Sequence, residues 1–583
     1  MIGVICKIDQ VAVVEEFFEL FKTPWEFYQR GRAYEVVVAT ADDVPGVDAR
    51  LLILYGAETK TTDRNAGIRV RRRRRGGSLN YQTTTLPIYG DLVAFEENSK
   101  GNPLLKAASE TVGLRMASSE GARVIRLGYD LFEEAQLLFS GGQPVEHARV
   151  PTLDLHIEMI REWILREGIP LLEIPPLPAD HRFTVCLTHD IDFVGIRNHK
   201  FDHTMWGFLY RSTVGALRKL VRGRISLARL FDTWRAVASL PFVYLGWAED
   251  FWSPFEWYLR VEENLAATYF LIPFKRRTGE RVPGRLASRR ASTYDVGDLP
   301  NWTPILKSKG CELGVHGIDA WHSVDKGRAE LARISEVAGQ TAIGIRMHWL
   351  LRDRNTASVL DEAGYDYDST EGYNETIGYR SGTTQVFRPL GAKTLLELPL
   401  HIQDGALFYP KRLDLSESQA EQCCGELIEN ATRLGGVLTV LWHDRSHGPE
   451  RFWGGFYARL VDRLKSANAW FATAAQAVSW FRRRRSVRFE RAGADNRIRI
   501  CLASEEQPAL PSLRLRAYHP CAHDGRTPAS GQVAVTFTDI PWNGATSVEF
   551  DSGLSSFSEL SSGPSVTENS SHEDDLHADP KLV

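Results

Sequence analysis

Short, largely apolar runs alternate with amphipathic stretches through the middle of this chain. The runs at 267–272, 311–315, 342–347, 365–368, 394–399 and 437–442 read as strands buried on both faces. Between them, 299–309, 327–337 and 356–363 carry helical spacing, the first and last closed by Gly310 and Gly364. Such strand–helix alternation predicts a parallel sheet or barrel, with reactive groups gathered where the strands end. One more apolar strand, 183–187, follows the proline-rich link Ile174-Pro175-Pro176-Leu177-Pro178.

The pattern changes on either side. Residues 1–150 mix short strands (35–39, 51–55, 122–127) with helical stretches such as 11–21, which predicts a separate α/β unit. An amphipathic helix follows at 151–167, with Leu153, Ile157, Ile160 and Ile164 on one side and Gly168 ending it. Beyond 486, alternating runs at 498–501 and 533–537 predict a small all-β module. From Ser552 the Ser-, Asp- and Glu-rich composition predicts a disordered tail. The expected units are therefore 1–150, an α/β domain; 151–485, a β/α unit with an insertion at 198–257; 486–551, a β-rich module; and 552–583, the tail.

Length and composition add limits. A chain of 583 residues exceeds one ordinary core, and 43% hydrophobic with 25% charged residues is ordinary for a soluble protein. A net charge of −4 gives no reason to expect nucleic acid as a partner. Two arginine runs stand out: Arg71 to Arg75, beside Gly76-Gly77, reads as a solvated loop, and Arg482 to Arg485 closes a helix at 470–481. Seven cysteines without a CxxC pair do not make a disulfide framework, and the N-terminus lacks a basic stretch followed by an apolar run. No window approaches the ~20 apolar residues of a membrane span. A reduced, cytoplasmic protein is expected. Within the insertion, 211–234 is basic and amphipathic, which suits a helical lid, an anionic membrane surface or a lipid-linked substrate.

The chemistry lies at the strand ends. The first barrel strand runs into Asp190 and Asp192, which share a side because strand residues alternate. A pair of carboxylates there suits either a capped turn or a bound cation. His316 follows the strand ending at Val315, Arg346 and His348 follow Ile345, and His401 with Asp404 follow Leu400. His443, Asp444 and His447 follow Trp442. Five strand ends bearing such groups favour the cation.

The order of these segments resembles the polysaccharide deacetylase (NodB-homology) family of metal-dependent carbohydrate esterases. Thr188-His189-Asp190-Ile191-Asp192 is similar to its first motif, Glu312-Leu313-Gly314-Val315-His316 to its second, Gly344-Ile345-Arg346 to its third and Leu441-Trp442-His443 to its last. Gly364 to Ser369 resembles the strand after the third motif's helix, and the resemblance spans roughly 180 to 485. It implies a distorted (β/α) barrel with fewer strands than a TIM barrel. It further implies Asp190 as general base, Arg346 as its partner, His443 as general acid, and Asp192 and His316 as ligands of a divalent metal, typically zinc. The family's second motif carries a further histidine four residues on, where this chain has Ala320. His322, six residues after His316, or Asp319 is then the candidate third ligand.

The expected activity is hydrolysis of an N-acetyl group on a sugar or polysaccharide, with a lipid-linked or cytoplasmic glycan of surface-polysaccharide synthesis as the natural substrate. The alternative is a barrel without turnover that binds glycan or serves as a scaffold.

Overall fold

The computed structural model describes all residues except 42–45, 98, 118–122, 282–289, 493–496, 504–509, 521–534, 545–546, 552–555 and 560–583. Nine strands form the central sheet, all pairings parallel. Across it the order is Leu396–Glu397, Tyr367–Asp368, Gly344–Met347, Glu312–Gly317, Ala267–Leu271, Phe183–Ile191, Val437–Leu441 and Ile402–Gln403. Ala469–Phe471 pairs with the far end of Phe183–Ile191. Apart from Ala469–Phe471 the strands are buried, which is why they read as largely apolar runs.

The two edge strands are consecutive in sequence, five residues apart from Glu397 to Ile402. An extended chain spans at most ~3.6 Å per residue, so the edges lie within roughly 18 Å and the sheet has to curl. They do not pair with each other. The linking residues fill the seam instead: the Leu398 amide donates to the Asp368 carbonyl (2.8 Å) and the His401 amide to that of Thr439 (3.1 Å). The result is an open, curled parallel sheet within a mixed α/β chain, with every strand's C-terminal end on one rim.

A second nine-stranded sheet occupies the N-terminal part. Its parallel half holds Ile2–Ile5, Trp25–Phe27, Tyr34–Ala39, Ala49–Tyr55 and Arg123–Leu127, and its antiparallel half holds Val70–Tyr81, Thr84–Phe95, Asn102–Ala107 and Glu110–Ala117. The helix Thr152–Arg166, which sequence grouped with the barrel, buries Leu153, Ile157, Ile160 and Ile164 in this sheet's core. A hydrophobic stripe reveals that a face is covered but not by what. The arginine run is likewise no loop. It lies on the strand Val70–Tyr81, where Arg73 pairs with Asp91 (2.6 Å) and Arg74 with Glu110 (2.7 Å). Five identical residues in a row hide the period of two that marks a strand.

The second arginine run ends the helix Ala474–Arg485. Its Arg484 is 1% exposed and donates to the carbonyls of Glu19 (3.0 Å) and Leu20 (2.9 Å), in the last turn of Val11–Phe21, and to that of Ile174 (2.8 Å). One guanidinium thereby caps a helix C-terminus and ties the N-terminal sheet to the barrel.

C-terminal strands form two small antiparallel sheets. Val487–Ala492, Arg497–Leu502, Val548–Asp551 and Ser556–Glu559 make one. Leu513–Tyr518 and Phe537–Trp542 join Leu171–Glu173 in the other. Of the tail expected from 552, only Ser556–Glu559 belongs to the described residues.

The insertion carries the helices His203–Tyr210, Ala216–Val221 and Leu227–Leu245. It rests on the barrel rim, where Thr233 donates to the Pro449 carbonyl (2.8 Å) and Arg229 pairs with Glu417 (3.1 Å). Among the described residues no helix is long and apolar enough to cross a membrane.

Candidate metal and acid–base site

Alternation on Phe183–Ile191 decides which side chains reach the rim. His189 faces the helices, its ring nitrogens 2.9 Å from the Trp442 carbonyl and 2.9 Å from Glu262, and is structural. Thr188 and Asp190 face the opposite way, toward Arg346. Arg346, on Gly344–Met347 three strands away in the curled sheet, is wholly buried and donates to Asp190 Oδ1 (3.1 Å), Thr188 Oγ1 (2.7 Å), the Ser369 carbonyl (2.9 Å) and Ser369 Oγ (2.8 Å). Four partners and the Phe270 ring, 4.5 Å below, hold that guanidinium still. Asp190, 2% exposed, is thus a buried carboxylate facing a cation fixed in place.

Just beyond, Asp192, His316 and His348 each bring one ligand atom within 4.8 Å of the others. His316 Nε2 lies 3.3 Å and His348 Nε2 3.1 Å from Asp192 Oδ1. Strand register makes this set. His316 is paired with Arg346 across the sheet, and His348 follows two residues later, on the same side as Arg346. The His316 Nδ1 lies 3.1 Å from the Arg346 carbonyl, an arrangement that leaves Nε2 with its lone pair. Burial pushes the His348 imidazole down to about 4, so it is neutral near pH 7.

His322, the expected third ligand, is not in this group. Glu330 accepts from the amides of Ile318 (2.9 Å) and Asp319 (2.8 Å) and fixes the loop after His316. In that loop His322 Nε2 and Asp319 Oδ1 engage each other at 3.2 Å, so both alternatives are spent on a local contact. The third side chain gathered with Asp192 and His316 is His348. The signal for it was its spacing of two from Arg346 at a strand end.

Does the donor set fit a metal? Asp192 Oδ1 is buried yet has no hydrogen-bond partner, although two imidazole nitrogens face it. Two imidazoles and one carboxylate are the donor types of zinc and related divalent ions. The residues fit such a cation.

Backbone supports surround the triad. Arg290 is 2% exposed and donates through Nη2 to the carbonyls of Gly317 (3.3 Å) and His348 (3.0 Å), so one side chain joins the ends of both histidine-bearing strands. Ser292 Oγ donates to the Asp192 carbonyl (2.9 Å) and the Tyr294 hydroxyl to that of Ile191. Nothing in the sequence around Arg290 signals this role. Directly after His348, Trp349 and Leu350 both take positive φ (69° and 53°), a strained turn held by Asn374 Nδ2 on the Trp349 carbonyl (3.0 Å).

His443 stands on the other flank, after Val437–Leu441. Its Nδ1 is 2.6 Å from Asp404 Oδ1, its own amide donates to Asp404 Oδ2 (2.9 Å), and Ser446 Oγ donates to the same carboxylate. Burial opposes charge on this imidazole, but the adjacent Asp404 carboxylate prevails and raises its pKa to about 10. His401 is structural, its Nδ1 accepting from the Thr439 amide (3.2 Å). Asp444 is fully buried with both oxygens unpartnered, and burial pushes its carboxyl up to about 8.

Asp190, Asp192, His316, His348 and His443 all line one cavity of about 620 Å³. Its volume falls within the usual range for small-molecule sites.

No family model matches the chain, and no curated protein does. Solved structures do. A protein assigned as a polysaccharide deacetylase from Mycobacterium smegmatis is 17% identical, covering 53% of this chain and 94% of its own, with a TM-score of 0.32. Another so assigned, from Pseudomonas aeruginosa, is 15% identical, covering 53% and 95%, with a TM-score of 0.32. Puue allantoinase is 12% identical, covering 52% and 92%, with a TM-score of 0.31.

Proposed function

We propose that this protein is a metal-dependent hydrolase that removes N-acetyl groups from a sugar or polysaccharide. The observation that carries the reading is one cavity holding the Asp192–His316–His348 set, an Arg346-held Asp190 and an Asp404-held His443. Asp192, His316 and His348 would hold a divalent cation, which supplies Lewis acidity to the acetamide carbonyl when bound. Asp190 accepts a proton from the attacking water, and Arg346, donating to its Oδ1 at 3.1 Å, holds the side chain in place for that task. The water oxygen bonds to the acetyl carbon, the C–N bond breaks, and His443 gives a proton to the departing amine. Asp404 holds the imidazole by Nδ1 and leaves Nε2 for the cavity. The products are acetate and an amino sugar.

Acetate release from N-acetylglucosamine oligomers by zinc- or cobalt-loaded protein tests this. Asp190→Asn and His443→Gln should each lower the rate by about 10²–10⁴-fold. Loaded wild type that releases no acetate from any N-acetylated sugar would end the proposal.

The insertion supports peripheral contact with an anionic membrane. Most large apolar side chains exposed among the described residues fall within it, including Trp206 (56%), Phe231 (63%) and Trp247 (75%). Arg218, Arg222 and Arg235 are interleaved with them, the mix that suits an acidic lipid surface. Phosphatidylglycerol vesicles should sediment the wild type and not the Trp206→Ser/Phe231→Ser double variant. A wild type left in the supernatant removes this contact.

A further inference from the structure

The cavity has a cationic wall that the chemistry above does not use. Arg412, Arg445 and Arg451 line it beside Tyr409. Arg451 is 7% exposed; its Nη1 donates to the Tyr409 hydroxyl, its guanidinium lies 4.9 Å from the centre of that ring, and its Nε has no partner. Arg412 approaches the same ring at 5.4 Å. Arg445 rests 3.7 Å over Phe193 and 5.1 Å from Trp252.

Close carboxylate partners are few. Among the described residues, neither Arg412 nor Arg451 has a carboxylate within 4.0 Å, and Arg445 has only Asp444, at 3.9 Å. The remaining acids nearby are engaged. Asp404 belongs to His443 and Ser446, while Glu450 accepts from Trp252 Nε1 (3.2 Å) and faces Arg211 (3.7 Å). Burial leaves the Asp444 carboxyl uncharged near neutral pH. Arg451 is buried and Arg445 partly so, while Arg412 meets solvent at the cavity mouth; withdrawing an unpaired guanidinium from water costs several kcal/mol, and side-by-side placement adds repulsion. An anion in the cavity removes both costs. One carboxylate satisfies a single guanidinium fork, whereas three forks together need the additional oxygens and charge of a phosphate.

We infer that Arg412, Arg445 and Arg451 form a subsite for a phosphate or diphosphate carried by the acetylated sugar, so that the substrate is a phosphate-linked amino sugar and not a neutral polymer. The inference rests on the hydrolase reading for its sugar but not for its anion. A nucleotide-linked and a lipid-linked sugar offer the same phosphate chemistry. The adjoining insertion, whose Lys219 Nζ donates to the Glu450 carbonyl at 3.4 Å, puts exposed apolar surface beside the subsite.

Calorimetric titration of the zinc-loaded full chain separates the outcomes. The probes are inorganic pyrophosphate, uridine diphosphate N-acetylglucosamine, farnesyl diphosphate N-acetylglucosamine in detergent micelles, and chitotetraose. Wild type should bind the three phosphate compounds, and Arg412→Gln and Arg445→Gln should each weaken them by at least about tenfold. Arg328→Gln, on an exposed helix remote in sequence, should change nothing. Tighter binding of the farnesyl compound identifies a lipid source and of the uridine compound a soluble one; either upholds the subsite. Chitotetraose binding with no affinity for the phosphate compounds overturns it, as does phosphate binding that both arginine variants retain in full. Acetate release is read separately. Phosphate compounds that bind while no N-acetylated probe releases acetate would sink the hydrolase reading alone, and acetate released from chitotetraose by a protein blind to phosphate would sink the subsite alone.

Discussion

His443 and Asp404 show how one contact sets a proton's availability. The imidazole is raised from its ordinary value of 6.5 to about 10 because its partner carboxylate outweighs burial. A folded-state pKa above the unfolded one stabilises the protein fully below the unfolded value, and that contribution disappears as pH climbs through the folded value. Between pH 7 and 10.5 the melting temperature of wild type should therefore fall more steeply than that of His443→Gln; parallel curves would show that the pair carries no linkage. The metal set allows an equally local test. Zinc titration should find one site in wild type, a loss of affinity of at least about tenfold in His348→Ala, and no change in His322→Ala. The reverse pattern would restore the loop histidine as the ligand.

Gly344 and Arg484 act through the elements they join. A Cβ on Gly344 would sit 1.9 Å from Tyr367 Cζ on the paired strand, and the Tyr367 hydroxyl donates to the buried Glu312 (2.8 Å). Gly344→Ala should cost about 2 kcal/mol or more in urea unfolding. It should also slow acetate release, because Arg346 lies two residues along the same strand. An unchanged midpoint would mean that the strands separate without penalty. Arg484→Ala would strip the donors from two buried carbonyls and one half-buried one, at about 3 kcal/mol in total. Hydrogen exchange should then accelerate in Val11–Phe21 before it does in the barrel, and uniform exchange would deny Arg484 its role as a tie between the two sheets.

A metal held by Asp192, His316 and His348 would couple to the fold of the whole molecule, since the three come from separate strand ends. With the cation at about 100 times its dissociation constant, the folded state gains about 2.7 kcal/mol. Removal by a chelator should lower the melting temperature of wild type and leave Asp192→Ala unmoved; equal shifts would place the metal elsewhere. The parallel sheet was legible because strands covered on both faces are largely apolar, and the candidate site residues because polar groups end those runs abruptly. Asp190, Asp192, His316, Arg346 and His443 could be picked out on that basis and on the motifs they resemble. His348 could not be chosen over His322, nor Arg290 noticed at all, and Thr152–Arg166 could not be placed on the sheet it covers. Periodicity along a chain encodes whether a face is buried, a property of neighbouring residues. Which strand end meets which, and which cation goes without a partner, follows from register and packing between segments from about thirty to more than a hundred residues apart, and that information exists only once the chain has folded.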